Sequence, residues 1–231
     1  MSLNYFLNIL NSKKGLIEGL FFILVKNNSM PSKAQKTTLY IIEKVAPLFN
    51  KYGYAATSLC AITEATGLTK GALYGNFKNK EALALAAYLY NSNRLVSLIG
   101  LKTNAKTHPL EKLTAFTEFY KNYTVFTGPI GGCPILNVGV DALENNQTLS
   151  LAVQSTIKSL EKMVTKILND GINQHIIHVR VLPSQFSKQF MTMLLGAVSM
   201  SSITGDHKYL LNTVAYLDQL ILREIKQVKN F

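Results

Sequence analysis

The amino-acid sequence predicts an all-α protein, and three observations carry that prediction. After Ser32, apolar residues recur at three- and four-residue spacing through almost the whole chain, the repeat that places them on one face of a helix. Capping residues and glycines punctuate these runs where helices must start and stop. Strand signals shrink to one alternating stretch, Ile176 to Leu182, which ends at Pro183 and reads as a connection between helices.

The first helix is expected from about Ser32 to Tyr52, with Leu39, Ile42, Val45 and Phe49 on one face. Gly53 suits its stop, because glycine takes the left-handed conformation at little cost. Pro47 lies inside this run and removes the bond to the Glu43 carbonyl, which predicts a kink worth about 3 kcal/mol unless packing compensates. Thr57 or Ser58 caps a second, short helix carrying Leu59, Ile62 and Ala65 and ended by Gly67. Thr69 caps a third, with Leu73 and Phe77 turned inward, and Asn79 a fourth that runs through alanine-rich sequence towards Ile99. Five longer helices should follow, at about His108 to Phe126, Cys133 to Asn145, Thr148 to Gly171, Pro183 to Ser202 and His207 to Val228. The breaks fall at Gly128-Pro129, Gly131-Gly132, Gly171, Pro183 and Gly205-Asp206.

Composition narrows the function. With 231 residues, 48% hydrophobic and 16% charged, the chain is suited to a compact head and body rather than to disorder. A net charge of +11 points to a polyanionic partner, either nucleic acid or an anionic membrane surface. The two cysteines, Cys60 and Cys133, are far apart and have no CxxC partner, which fits a reducing cytoplasm and offers no disulfide framework or zinc site. No phosphate loop, dinucleotide fingerprint, HExxH or nucleophile elbow occurs, so neither an enzyme nor a cofactor is expected. His175 and His178 share a spacing that metal ligands use, but no carboxylate or cysteine lies near them in sequence.

Residues 1–29 stand apart. Gly15 to Val25 is apolar but shorter than the roughly 20 residues a membrane span needs, is interrupted by Glu18 and lacks a small-x-small cleavage site. Met30 is read as the true start; an extra helix packed on the body is the alternative.

The informative stretch is Thr57 to Phe77, TSLCAITEATGLTKGALYGNF. A short capped helix, a tight turn at Gly67-Leu68-Thr69 and a second short capped helix make a helix-turn-helix, whose second helix enters the DNA major groove. Ile62, Leu68, Leu73 and Phe77 form its small core, leaving Lys70, Gly71, Tyr74 and Asn76 on the other face. The lack of bulk at Gly71 and Ala72 lets the backbone approach a duplex.

The run from Val45 to Leu83, VAPLFNKYGYAATSLCAITEATGLTKGALYGNFKNKEAL, resembles the DNA-binding head of the TetR family of bacterial regulators almost position by position. One departure is Tyr74-Gly75-Asn76-Phe77, where that family usually has Y-x-H-F; Pro47 is another. The resemblance implies phosphate contacts from Thr57, Ser58, Thr69, Asn76 and Lys80 and a phosphate or base-edge contact from Tyr74. It also implies base reading by Lys70 beside Gly71. It divides the chain into an extension (1–29), a three-helix head (30–82) and a helical effector-binding and dimerisation body (83–231). In such a body a small molecule lies in a cavity; Phe116, Phe119, Tyr120, Tyr123, Cys133 and Asn137 are the candidates, plain core being the alternative for the aromatic ones. The last two helices would form a four-helix dimer seam from Met191, Leu194, Leu195, Val198, Val214, Leu217 and Ile221, with packing inside one subunit as the alternative. The implied protein is a cytoplasmic homodimer that represses from a palindromic operator until an effector releases it. A basic helical protein on a membrane surface is the competing reading.

Overall fold

The structure is a computed structural model that describes residues 32–178 and 180–225. The expectations for residues 1–29, and for the end of the last helix at 226–228, lie outside the described residues. The described residues form ten α-helices, with a 3₁₀ turn at Gly128–Ile130 and a π-helical turn at Ile221–Ile225.

Helix α1 (Lys33–Ala56) opens on a reciprocal cap. Ser32 Oγ accepts from the Gln35 N–H, and Gln35 Oε1 accepts from the Ser32 N–H at 2.8 Å, so two orphan amides are satisfied at once. The backbone stays helical through Pro47; the break comes instead at Gly53 (φ 78°, ψ 176°). Ile41, Val45, Ala46 and Phe49 are buried along one face, so tertiary packing offsets the hydrogen bond lost at Pro47. Helices α2 (Leu59–Thr66) and α3 (Lys70–Asn76) complete the head. Helix α4 (Lys80–Asn104) starts in the head and runs on into the body, five residues beyond the expected end.

The body comprises α5 (Pro109–Lys121), α6 (Tyr123–Thr127), α7 (Pro134–Asn145), α8 (Gln147–Asn173), α9 (Pro183–Thr204) and α10 (Lys208–Leu220). The single helix expected from His108 to Phe126 is broken at Asn122 (φ −106°, ψ 22°), while the apolar pattern runs on undisturbed through the break. Gly171 does not end α8. A Cβ there would lie 2.5 Å from Ile177 Cδ1 and 3.0 Å from Pro109 Cβ, so this glycine lets the connection after α8 fold back against the helix.

One core runs through head and body. Tyr88 on α4 donates from its hydroxyl to Thr156 Oγ1 on α8 (2.8 Å), and Asn91 Nδ2 on α4 donates to the Ala46 carbonyl on α1 (3.2 Å). Leu95, Ile99, Leu113, Leu160, Val164, Leu168, Phe190 and Leu194 are fully buried between α4, α5, α8 and α9. Truncating any one of these leucines should cost about 2–5 kcal/mol.

The last two helices correct the proposed seam. Met191, Leu194, Val198, Val214, Leu217 and Ile221 all lie in the subunit's own core, and only Leu195 is half-buried. Side chains already covered within one chain cannot cover a partner. The uncovered faces lie on the other side: Thr192, Leu195, Gly196, Ser199, Met200 and Ile203 on α9, and Leu211, Ala215, Tyr216 and Leu222 along and just beyond α10.

Candidate nucleic-acid interface

The motif folds because every turn of backbone in it finds a partner. Ser58 Oγ accepts from the Ala61 N–H at the start of α2 (3.1 Å), and Thr69 Oγ1 accepts from the Ala72 N–H at the start of α3 (3.2 Å). Between them Gly67 takes the left-handed conformation (φ 66°) and its N–H closes on the Thr63 carbonyl (2.8 Å). Ile62, Leu73 and Phe77 are buried and Leu68 half-buried beneath this turn. The Tyr40 hydroxyl on α1 donates to the Thr66 carbonyl at the end of α2 (3.0 Å).

The outer surface of α3 is correspondingly bare. Leu73 is its one buried residue, while Lys70, Gly71, Ala72, Tyr74 and Gly75 are exposed. A side chain at Gly75 would meet nothing within 4 Å, and one at Gly71 only Thr69 Oγ1 at 3.9 Å. Ser58 and Thr69 stand exposed beside this face, each keeping a hydroxyl proton to donate while its oxygen caps a helix. Lys78 is also exposed. Such a surface lets backbone and short donors reach phosphates at close range.

Two expected contacts are placed elsewhere. Thr57 is only 2% exposed, and its hydroxyl donates to the Gly53 carbonyl (2.6 Å), so it closes the end of α1 and offers no hydroxyl to a phosphate. Asn76 is half-buried: its Oδ1 accepts from the Thr38 hydroxyl on α1 (3.1 Å) and its Nδ2 donates to the Ala72 carbonyl (2.9 Å). It braces α3 against α1. Lys80 is half-buried too, its Nζ 4.7 Å from the centre of the Tyr54 ring and 3.5 Å from the Ala55 carbonyl. Burial pulls its ammonium below the usual lysine range, against the opposing pull of Asp141.

In the body, Phe116, Tyr120, Tyr123 and Phe119 form a continuous aromatic cluster. Tyr120 stacks on Phe116 (centroids 5.9 Å apart) and on Tyr123 (4.8 Å), and Phe119 meets both tyrosines edge to face. The Tyr123 hydroxyl donates to Cys133 Sγ (2.9 Å), whereas the Tyr120 hydroxyl is wholly buried and has no hydrogen-bond partner among the described residues. Burial raises the phenols of Tyr120 and Tyr123 and the Cys133 thiol, so all three stay neutral. Asn137 does not join them. It is exposed, and its Nδ2 donates to the carbonyls of Asn50 and Gly131 (3.0 Å each).

Sequence reasoning missed the polar contacts between head and body. Asn50 Nδ2 donates to the carbonyls of Ile130 (2.7 Å) and Gly132 (2.8 Å), and the Tyr54 N–H donates to Asp141 Oδ2 (2.6 Å). Their one outward sign was an asparagine and an aspartate in the otherwise apolar stretch ILNVGVDA, with partners 87 residues away.

Comparison with known proteins agrees with this geometry. Residues 41–87 match the family model described as bacterial regulatory proteins, tetR family, and residues 109–217 match that of the tetracyclin repressor-like C-terminal domain. The crystal structure of a TetR-family transcriptional regulator from Cytophaga hutchinsonii is 33% identical and superposes with a TM-score of 0.81, covering 87% of this chain and all of that one. The uncharacterized HTH-type transcriptional regulator YxaF of Bacillus subtilis is 24% identical over 80% of this chain and 94% of its own length. The HTH-type transcriptional repressor NemR of Escherichia coli is 20% identical over 73% of this chain and 85% of its own.

Proposed function

The chain belongs to the TetR family of bacterial transcriptional regulators, and from that premise we propose that it represses from a two-fold symmetric operator and lets go when a small molecule enters its body. The observation that carries the DNA-binding half is the bare outer surface of α3. Lys70, Ala72 and Tyr74 stand exposed on a seven-residue helix capped by the exposed Thr69, and nothing shields its backbone at Gly75. Lys70, at the first position of α3, is placed to donate to a guanine edge, and the exposed Ala72 methyl to touch a thymine methyl. Ser58, Thr69 and Lys80 serve phosphates, with Lys33, Lys36 and Lys78 adding exposed positive charge to the head.

Repression is the reading that the NemR relationship supports. The effector site is the aromatic cluster around Tyr120, because a buried hydroxyl without a partner lacks a hydrogen bond that a ligand acceptor would supply. Phe116, Phe119, Tyr123 and Cys133 surround it and carry no charge, so the effector is an uncharged, largely apolar molecule with at least one acceptor atom. Two copies join through the uncovered faces of α9 and α10, where Gly196 leaves open space and Leu195, Met200, Ile203, Leu211, Tyr216 and Leu222 supply apolar contact. The place of action is the cytoplasm. Among the described residues no helix is long and apolar enough to cross a membrane, and DNA accounts for the basic charge without a lipid surface.

Selection of bound duplexes from a random pool tests the reading. An inverted repeat is expected, bound with an affinity that falls steeply as salt rises. Selected sites without two-fold symmetry, or an affinity indifferent to salt, would overturn it.

A further inference from the structure

An unbroken helix joins the carbonyl of each residue to the N–H four positions on. Across Gly53 that rule fails, because φ 78° and ψ 176° turn the chain out of the helical path. The two groups that the rule would pair are the Asn50 carbonyl and the Tyr54 N–H. Both are served from the body: Asn137 Nδ2 donates to the Asn50 carbonyl (3.0 Å), and Asp141 Oδ2 accepts from the Tyr54 N–H (2.6 Å). Asn137 and Asp141 lie four residues apart on α7, hence on one face of it. Helix α7 thus offers one donor and one acceptor at the spacing of the hydrogen bond missing from α1.

We infer that Asn137 and Asp141 are the positioning residues that hold the head at a fixed angle to the body, by completing the interrupted hydrogen bonding of α1. The fit is close on both sides. A Cβ at Gly53 would lie 2.7 Å from the Asp141 carboxyl carbon, and one at Gly132 would lie 2.7 Å from Asn137 Nδ2. The same contact reaches the DNA surface, since the Asp141 charge acts on Lys80 at the start of α4. Two heads on a dimer must match half-sites about one helical turn apart, so an angle held at this point decides whether both heads can seat together. Any change that draws α7 away removes both partners of α1 in one movement.

The test uses the full chain. Spin labels are placed on Cys60, which is exposed while Cys133 is buried, and on the exposed α8 position 158 through Lys158→Cys. Labelled chain is diluted into unlabelled chain and the head-to-body distance distribution is measured. Wild type should give one narrow distribution, and Asn137→Ala/Asp141→Ala a broad one. Asp141→Asn keeps an oxygen acceptor for the Tyr54 N–H and should stay narrow. On a selected operator the double alanine variant should lose about tenfold in affinity, and Asp141→Asn should stay close to wild type. An unchanged distribution in the double variant overturns the inference, as does an Asp141→Asn variant as broad as the alanine one. The affinity measurement rests on the DNA-binding reading above, whereas the distances need no DNA. A narrow wild-type and a broad double-variant distribution in a chain that selects no duplex would therefore refute the operator reading and leave the positioning residues standing.

Discussion

Helices α3 and α10 both expose one face, and they differ in how plainly that face can be told from the buried one. On α3 the buried side is Leu73 and the exposed side is lysine, glycine, alanine and tyrosine. On α10, Leu210, Val214 and Leu217 face inward, while the outward side mixes Leu211, Ala215 and Tyr216 with Lys208, Asn212 and Gln219, so apolar residues occur on both sides. Hydropathy distinguishes inside from outside only where the sides contrast. Where apolar residues occur on both sides of a helix, periodicity alone does not tell which side faces the core.

The sharpest way to break this comparison is to charge both sides of α10. Leu217 is wholly buried within the subunit and Tyr216 is 54% exposed. Leu217→Glu should unfold the protein or turn it into aggregate, since an unpaired buried charge costs several kcal/mol. Tyr216→Glu should leave a folded monomer with a normal thermal melt. Sedimentation together with circular dichroism distinguishes the two, and a folded dimer in both cases would mean that α10 takes no part in the seam.

On α3 the expected effects are smaller. Lys70→Ala should lower operator affinity by about 1–3 kcal/mol and relax the preference at one base position, measured by fluorescence anisotropy on single-base operator variants. A uniform loss on every sequence would make Lys70 a phosphate contact instead.

Tyr120→Phe tests the body in the opposite direction. Removing a buried hydroxyl that has no partner should raise stability by about 1 kcal/mol in a urea titration while abolishing the response to effector. The pH dependence has a definite sign. Burial raises the Tyr120 phenol above its ordinary value of 10.0, so the folded chain keeps a proton that the unfolded chain releases. That stability is complete below about pH 10 and is lost as pH climbs beyond it, and Tyr120→Phe should make the alkaline loss shallower. A variant that melts lower than wild type would show that the hydroxyl is satisfied after all.

The smallest effect belongs to Lys80. Its ammonium already lies over Tyr54 and beside the Ala55 carbonyl, so Lys80→Ala should reduce the salt dependence of binding by about one phosphate contact at most. A salt slope equal to that of wild type would assign Lys80 to the packing of the head alone.

These contrasts explain what was legible. The head could be read residue by residue because its turn chemistry is local: Ser58, Gly67, Thr69 and Asn79 each act on backbone within four positions. The body has six helices where the sequence predicts five, because Phe119, Tyr123 and Phe126 keep the apolar rhythm going across the break at Asn122. The family resemblance assigns Thr57 and Asn76 to the DNA side. Their partners, Gly53 and Thr38, are contacts of the folded chain that polarity alone does not reveal. Asn137 was drawn to the aromatic cluster by its nearness to Cys133 in sequence, yet the start of α7 turns the two apart.

The break at Gly53 also governs how freely this head could be exchanged for another. A transplanted head, α1 to α3, would meet the body's Asp141 and Asn137 as fixed neighbours. The incoming segment must then offer a residue without a side chain opposite that carboxylate. It must also fit where Gly131 comes up against Lys51, a Cβ at Gly131 lying only 2.9 Å from the Lys51 Cβ. A donor head with an ordinary helical residue at the Gly53 position would carry its recognition helix intact and still join the body badly. Chimeras designed on motif similarity alone should therefore fold in both halves and fail at the seam, and moving the cut to the α4–α5 connection, so that α1 travels with α4, would not help unless α7 travels with them.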